Sequence, residues 1–172
     1  MRIAAPRAPS TTTYNHVTSK AELFETAVAD VPEEMGELLD ALSRGLADPA
    51  AAFAQSVRLV GRVAHRRPEA TRILVSHGPE YLDSDRGLAP RALRDITAGI
   101  EAGRFRAASP MPALAGTAGS LLATVHLSLT DPDFADDTIY DQLAEHLLCM
   151  LGLPAEDART PATTELPHAR PV

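Results

Sequence analysis

Apolar residues recur along this chain at the three- and four-residue spacing of helices, and no stretch alternates apolar and polar residues as a half-buried strand does. The sharpest local pattern is SKAELFETAVAD at 19–30, where Ser19 and Glu22 stand at the spacing of a capping box ahead of an apolar stripe. Similar spacing predicts further helices, and these cover 32–44, 49–67, 69–76, 88–102, 112–129 and 136–151. The chain is therefore predicted to be all-α.

The last two predicted helices are separated only by the turn TDPD at 130–133, so we expect them to form a helical hairpin. The residues after 152 include four prolines, scattered charges and few apolar side chains. This composition is typical of a segment that does not fold, and the tail 154–172 is predicted to be disordered. The expected organisation is an N-terminal segment with its connecting helix at 1–30, a helical domain at 31–153, and that tail.

Composition narrows the kind of partner that the chain can have. It has 172 residues, and its 16 Lys and Arg against 23 Asp and Glu leave a formal charge of −7, which argues against a broadly basic surface for nucleic acid or membranes. No apolar run approaches the roughly 20 residues of a membrane span, and residues 1–7 do not resemble a secretory signal. Cys149 is the only cysteine, so a reducing, cytoplasmic compartment is expected. Lys20 is the only lysine in an alanine-rich chain, a bias that indicates a high-GC bacterial gene.

The sequence contains few candidate metal-ligating or catalytic residues. His126, His146 and Cys149 are side chains that zinc favours, but no second closely spaced pair completes a ligand set, so core positions are the preferred interpretation and no metal or cofactor is expected. The aspartates of 131–141 lack the glycine and terminal glutamate of a calcium loop. No phosphate loop, nucleophile elbow or zinc-protease motif is present. An enzyme is therefore not expected.

The most specific pattern lies in residues 10–23, STTTYNHVTSKAEL. Small hydroxyl side chains precede an aromatic residue, a histidine and an apolar residue, and a Ser-Lys pair then opens the next helix. This order resembles the second half of the helix-turn-helix of TetR-type bacterial transcriptional regulators, and such side chains can meet bases and phosphates. The DNA-binding residues that the resemblance implies are Ser10, Thr11, Thr12, Thr13, Tyr14, Asn15, His16 and Lys20.

The resemblance also implies a role for the remaining chain. The C-terminal domain of that family is an all-helical module that binds a ligand and dimerises, so the expected partners are operator DNA, a second copy of the chain, and a small apolar or amphipathic effector. The candidate ligand-contacting residues, on apolar faces of the central helices, are Leu59, Val63, Leu74, His77, Phe105, Leu122 and His126. The candidate dimer-interface residues, in a hairpin that has no Lys or Arg, are Leu114, Ala118, Leu121, Val125, Leu143, Leu147 and Leu151. The alternative for these apolar side chains is that they close the chain's own core.

Only nine residues precede Ser10, and two of them are prolines, where the family has another helix and a half. We therefore expect the three-helix DNA-binding core to be incomplete in this chain. Two functions remain open at this point. One is a ligand-responsive transcriptional regulator, a repressor, that binds operator DNA as a dimer. The other is a helical ligand-binding and dimerisation module that has lost DNA binding.

Overall fold

The computed structural model describes residues 20–76, 78, 85–131, 134 and 136–167, and it describes side chains for all of these except 20–31, 70, 73 and 74. Within these residues the protein contains seven α-helices and no strand. The helices are α1 (Lys20–Ser43), α2 (Pro49–Arg66), α3 (Pro68–Ser76), α4 (Leu88–Glu101), α5 (Pro110–Thr130), α6 (Thr138–Met150) and α7 (Ala155–Thr163). The all-α prediction is confirmed.

Hydrogen bonds to Asp48 connect the end of α4 to the start of α2. Asp48 accepts a hydrogen bond from the Ala50 amide at 3.0 Å and so caps α2, whose first residue is Pro49. Arg104 holds the same carboxylate through two hydrogen bonds of 2.8 and 3.1 Å, which fixes the chain after α4 against the start of α2. That chain turns at Gly103, where φ is 71°, a value that favours glycine.

Helix α2 lies at the centre of the described part of the protein and contacts each of the other six helices. Its Phe53 and Val57 join a main core that includes side chains from α4, α5, α6 and α7. The close approach of α2 to α6 depends on Gly61, because a Cβ atom there would lie 2.1 Å from the Tyr140 ring. Helices α2 and α4–α7 thus form the body of the domain. Helix α1 packs against α2, α3 and α4.

One helix replaces two that were predicted near the N-terminus. The sequence predicts helices at 19–30 and 32–44, but α1 is a single helix with Pro32 inside it. Proline lacks an N–H to donate, yet its fixed φ is compatible with a helix. Pro32 is buried against the turn at Gly87, where a Cβ atom would lie 3.2 Å from the Pro32 Cβ. The helix continues through Pro32, so the predicted boundary between 1–30 and 31–153 falls inside a helix.

The prediction of a disordered tail at 154–172 is wrong for Ala155–Thr163, which form α7. Ala158 and Ala162 are fully buried in the main core, and Pro161 is also buried. Alanine contributes little to a hydropathy pattern, but its small side chain lets a helix approach its neighbours closely. The polar composition of the tail therefore concealed a helix that packs on α2 and α6.

A buried arginine ties the end of α7 to the centre of the protein. Arg58 of α2 donates from Nε to Asp141 of α6 and from Nη1 to the Thr164 carbonyl, each at 2.6 Å. Arg62 donates to the same Asp141 oxygen at 2.8 Å. Because Arg58 is only 3% exposed, its charge depends on this carboxylate for compensation. The segment after α6 is thus part of the folded domain.

Candidate ligand-binding site

An apolar cavity of about 120 Å³, the first cavity, lies between α1, α2, α4 and α5. Among the described residues, its walls are Pro32, Val60, Ala64, Gly78, Arg86, Leu88, Ala89, Ala92, Leu114, Thr117, Ala118, Leu121, Leu122 and Val125. Only Arg86 and Thr117 of these carry polar side chains. An engineered apolar cavity of roughly 150 Å³ binds benzene, so the first cavity has the size of a single ring.

Small side chains create the first cavity. Ala89 and Ala92 of α4 face Ala118 of α5 across it, where larger side chains would fill the space. Thr117 donates its hydroxyl to the Ala113 carbonyl at 2.8 Å, so the helix itself satisfies that proton and leaves the oxygen able to accept. The cavity is consequently apolar, with very little hydrogen-bonding capacity in the walls that are described.

A second cavity of about 80 Å³ adjoins the first. The two share Val60, Leu88, Ala92, Thr117 and Leu121 as walls. The other walls of the second cavity are Leu39, Asp40, Ser43, Phe53, Ser56, Val57, Arg91 and Asp95. Polar and charged side chains are therefore concentrated at this end, next to α1.

Four charged side chains, which we call the ion cluster, join α1 to α4 beside the second cavity: Glu33, Asp40, Arg91 and Arg94. Arg91 donates from Nη2 to Glu33 at 2.7 Å, from Nη1 to the other Glu33 oxygen at 3.1 Å, and from Nε to Asp40 at 2.9 Å. Arg94 donates to the second Asp40 oxygen at 2.7 Å. The guanidinium of Arg91 lies directly over Gly36, where a Cβ atom would stand 2.7 Å from Nη1. Glycine at this position therefore lets the arginine reach both acids of α1.

The ion cluster shifts the titration of both carboxyl groups. Hydrogen bonds from Arg91, and then from the Gly87 amide at 2.7 Å, lower the pKa of Glu33 to about 2. Glu33 also lies at the N-terminus of α4, where a negative charge is favourable. The pKa of Asp40 is lowered chiefly by its hydrogen bond to Arg94 and also by Arg91, and the pKa of Arg91 is raised by the two acids. Both carboxyl groups are thus ionised near neutral pH and hold the arginine over α1.

Comparison with known proteins identifies the domain that contains the cavities. Residues 48–163 match the family model described as tetracyclin repressor-like, C-terminal domain. The chain belongs to the TetR family. The resemblance carried by residues 10–23 is thus confirmed at the level of the family, and the matched range includes α7. A search of the curated proteins found no match.

Two solved structures of RolR share the fold of this TetR-family chain. RolR without ligand is 30% identical, with a TM-score of 0.71, over 91% of this chain and 80% of RolR. RolR in complex with its ligand resorcinol is 29% identical, with a TM-score of 0.67, over 91% of this chain and 77% of RolR.

The predicted ligand-contacting residues are dispersed in this TetR-family domain. Leu122 lines the first cavity. Leu59 is buried and Val63 is half-buried, but neither lines a described cavity, because Val60 and Ala64 are the α2 residues that face the first cavity. The ligand contacts predicted at Leu59 and Val63 stay predictions.

The remaining ligand predictions concern one aromatic residue and two histidines. Phe105 packs edge to face against Phe53 in the main core, with ring centroids 5.9 Å apart, so it closes the core rather than a cavity. His126 is exposed on α5 and contributes to neither cavity. The side chain of Leu74 and the whole of His77 lie outside the described residues. Pattern alone missed the walls made of alanine and glycine, which have no strong apolar signal.

Five of the seven predicted dimer-interface side chains are buried within the protomer, Ala118 and Leu121 are half-buried, and the dimer interface itself stays a prediction. Leu114, Leu143, Leu147 and Leu151 belong to the main core, Val125 belongs to a smaller core cluster, and Ala118 and Leu121 line the first cavity. Hydropathy periodicity located the face of the hairpin that the chain itself buries. These leucines follow the alternative interpretation, in which they close the chain's own core.

The opposite side of the hairpin, which we call the outer face, is exposed. Its α5 residues recur at four-residue spacing as Met111, Ala115, Gly119, Ala123 and Leu127, and its α6 residues are Gln142, His146 and Met150. Because both sides of α5 are apolar, this helix is long and apolar enough by composition to cross a membrane, which the sequence analysis did not expect. Only 28% of the relevant stretch is buried in the protomer. The outer face is thus a large apolar surface that the protomer leaves uncovered.

The other predicted site residues receive little structural description. Ser10, Thr11, Thr12, Thr13, Tyr14, Asn15 and His16 lie outside the described residues. Lys20 is the first residue of α1, and its side chain is not described. No group of three or more potential metal ligands occurs in the described part of the chain. His146 and Cys149, two of the zinc-favoured side chains, lie on α6.

Replacing Glu33 with glutamine tests the ion cluster. Because folding lowers the pKa of Glu33 from 4.5 to about 2, its ionised form stabilises the fold above the ordinary pKa, and this contribution is lost as the pH falls toward 2. We expect Glu33→Gln to melt a few degrees below the wild type at pH 7, and the difference to shrink between about pH 5 and pH 2. Thermal unfolding followed by circular dichroism measures this.

The matched control is Glu34→Gln, which makes the same change at the exposed neighbouring residue of α1. It should leave the melting temperature close to that of the wild type at every pH. An effect of equal size in both variants, or an effect of Glu33→Gln that does not depend on pH, would contradict the assignment.

Proposed function

We propose that this TetR-family protein is a ligand-responsive transcriptional regulator, a cytoplasmic homodimer that binds operator DNA in the absence of its effector and releases it when the effector occupies the first cavity. One observation carries the proposal. The first cavity has Pro32 of α1 in its wall, and α1 continues to Lys20, immediately after the segment that resembles a recognition helix. The ligand-binding body and the DNA-facing segment are therefore joined by one helix.

The effector is expected to be a small apolar or amphipathic molecule. The walls of the first cavity are almost wholly apolar, and its volume suits a single ring. RolR, which shares the fold, is known in complex with the single-ring ligand resorcinol. The described walls bring no cluster of acid, base and nucleophile together, which favours a binding role over an enzymatic one.

The ion cluster explains how occupancy can alter DNA binding. A ligand shifts a conformational equilibrium only by its difference in affinity for the two states. Leu88 and Ala92 of α4 form part of the cavity wall, and Arg91 on the same helix holds Glu33 and Asp40 of α1. An effector that moves α4 therefore moves the attachment of α1. In a dimer, the two recognition helices must enter major grooves about one DNA turn apart, so a shift of α1 changes operator affinity.

The outer face supplies the dimer interface in this proposal. Its small residues Ala115, Gly119 and Ala123 allow close helix approach, and Met111 and Leu127, 56% and 43% exposed, offer apolar area at either end. Gly116 brings Met150 of α6 onto α5, so the two helices present one continuous surface. Two such hairpins, related by a twofold axis, make a four-helix interface.

Placing a carboxylate on the outer face tests the dimer. Ala123→Glu buries an unpaired charge if the outer face is the interface, so the dimer should dissociate at least about tenfold more readily. The wild type should sediment at twice the 18.3 kDa mass of one chain at micromolar concentration. The control Ala98→Glu makes the same change on an exposed position of α4 and should remain dimeric. A monomeric wild type, or an Ala123→Glu variant as dimeric as the control, sinks the proposed interface.

Operator binding is tested by fluorescence anisotropy with DNA from upstream of the protein's own gene, at two salt concentrations. We expect specific binding that weakens steeply with salt, and Lys20→Ala should weaken binding to all sequences and reduce the salt slope by about 1. Arg72→Ala, at an exposed residue of α3, serves as the control for loss of a positive charge. Absence of binding at low salt would instead favour a ligand-binding and dimerisation module without DNA binding.

A further inference from the structure

The two cavities lie side by side, and the second has the more polar walls. Five shared residues form the wall between them. On one side the described walls are aliphatic apart from Thr117 and Arg86, and on the other side Ser43, Ser56 and Arg91 line the same cavity. A molecule that fills both spaces therefore meets an apolar end and a hydrogen-bonding end.

The volumes limit the size of such a molecule. About 120 Å³ in the first cavity suits one ring, and about 80 Å³ in the second leaves space for a short substituent. The wall between them consists of side chains, including those of Leu88 and Leu121, which can change rotamer when a ligand enters.

The charged side chains at the second cavity favour a ligand whose end in that cavity is neutral. Arg91 pairs with Glu33 and Asp40 at 2.7 and 2.9 Å, and Arg94 pairs with Asp40 and Asp95 at 2.7 and 2.8 Å, so each of these charges already has a partner of opposite sign. An added carboxylate would face the two aspartates, and an added ammonium group would face Arg91. A hydroxyl group accepts a hydrogen bond from a guanidinium and donates one to a carboxylate, so it fits both.

We propose, building on the proposed ligand cavity, that the effector is a neutral amphipathic molecule that spans both cavities, with an apolar ring in the first and a hydroxyl-bearing end at Arg91 in the second. Arg91 then determines specificity and also transmits occupancy. An effector that reaches it competes with Glu33 and Asp40 for the guanidinium, whereas a ring confined to the first cavity leaves the ion cluster unchanged.

Calorimetry with a series of simple probes tests this on the wild type. Toluene should bind in the first cavity, and 3-phenylpropan-1-ol should bind roughly tenfold or more tightly than propylbenzene, because a hydrogen bond to a charged group is added. The anion 3-phenylpropanoate should bind more weakly than the alcohol. Equal affinity for the alcohol and propylbenzene, or tighter binding of the anion, would overturn the proposal, as would a lack of toluene binding.

Three filling variants locate the probes. Ala118→Leu fills only the first cavity, Ser56→Leu fills only the second, and Ala98→Leu on the exposed side of α4 is the control. Both filling variants should weaken 3-phenylpropan-1-ol binding at least tenfold, and Ser56→Leu should leave toluene binding unchanged. Unchanged binding of the alcohol by a folded Ser56→Leu variant would show that the second cavity is not used.

The ratio of the affinities for two probes distinguishes a role of Arg91 in specificity from a general destabilisation of the site. In Arg91→Met the preference for 3-phenylpropan-1-ol over propylbenzene should disappear, whereas a merely structural role would lower both affinities alike and keep the ratio. Release of operator DNA by another small molecule, without binding of the alcohol, would overturn this inference and leave the regulator proposal standing. Binding of the alcohol without any operator binding would overturn the regulator proposal and leave this inference standing.

Discussion

The guanidinium of one arginine ties α1 to α4. Arg91 makes hydrogen bonds to Glu33 and Asp40, two turns apart on α1, and also donates to the Gly87 carbonyl at 2.8 Å. It fits there because Gly36 has no side chain to exclude it. Since each partner is ionised near neutral pH, the contact is electrostatic as well as steric, and it joins the helix that leads to the N-terminal segment with the helix that forms a cavity wall.

The body of the domain, α2 and α4–α7, is held together by several buried contacts. Helix α2 contacts every other described helix, Arg58 ties α6 and the end of α7 to it, and Tyr140 packs directly over Gly61. The proposed coupling of ligand occupancy to α1 rests on the contact that Arg91 makes between α4 and α1.

The sequence predicted most of the helices because apolar residues at helical spacing mark the faces that the chain buries. It failed where the packing depends on small or fixed residues. Pro32 suggested a break, although α1 continues through it, and Ala158 and Ala162 anchor α7 without any strong apolar signal. Leucines such as Leu147 mark the inner core by their hydropathy, whereas the exposed alanines and glycine of the outer face give a weaker hydropathy signal.

The ion cluster lay beyond pattern analysis for a different reason. Glu33 and Arg91 are far apart in the chain, and each by itself looks like an ordinary charge on the solvent side of a helix. Only the fold brings them within 2.7 Å and places Gly36 beneath them. Of the proposed ligand contacts, Leu122 was found because it is a leucine on an apolar face, and the remaining walls depend on how α4 and α5 cross.

Amide hydrogen exchange in Arg91→Ala tests the central claim most directly, with Arg72→Ala as the control for removing an arginine from an exposed pair. The account predicts faster exchange in α1 from Glu33 to Ser43 in Arg91→Ala only, with unchanged protection in α6 and α7. Exchange in α1 equal to that of the wild type would contradict it, because α1 would then be held by something other than Arg91.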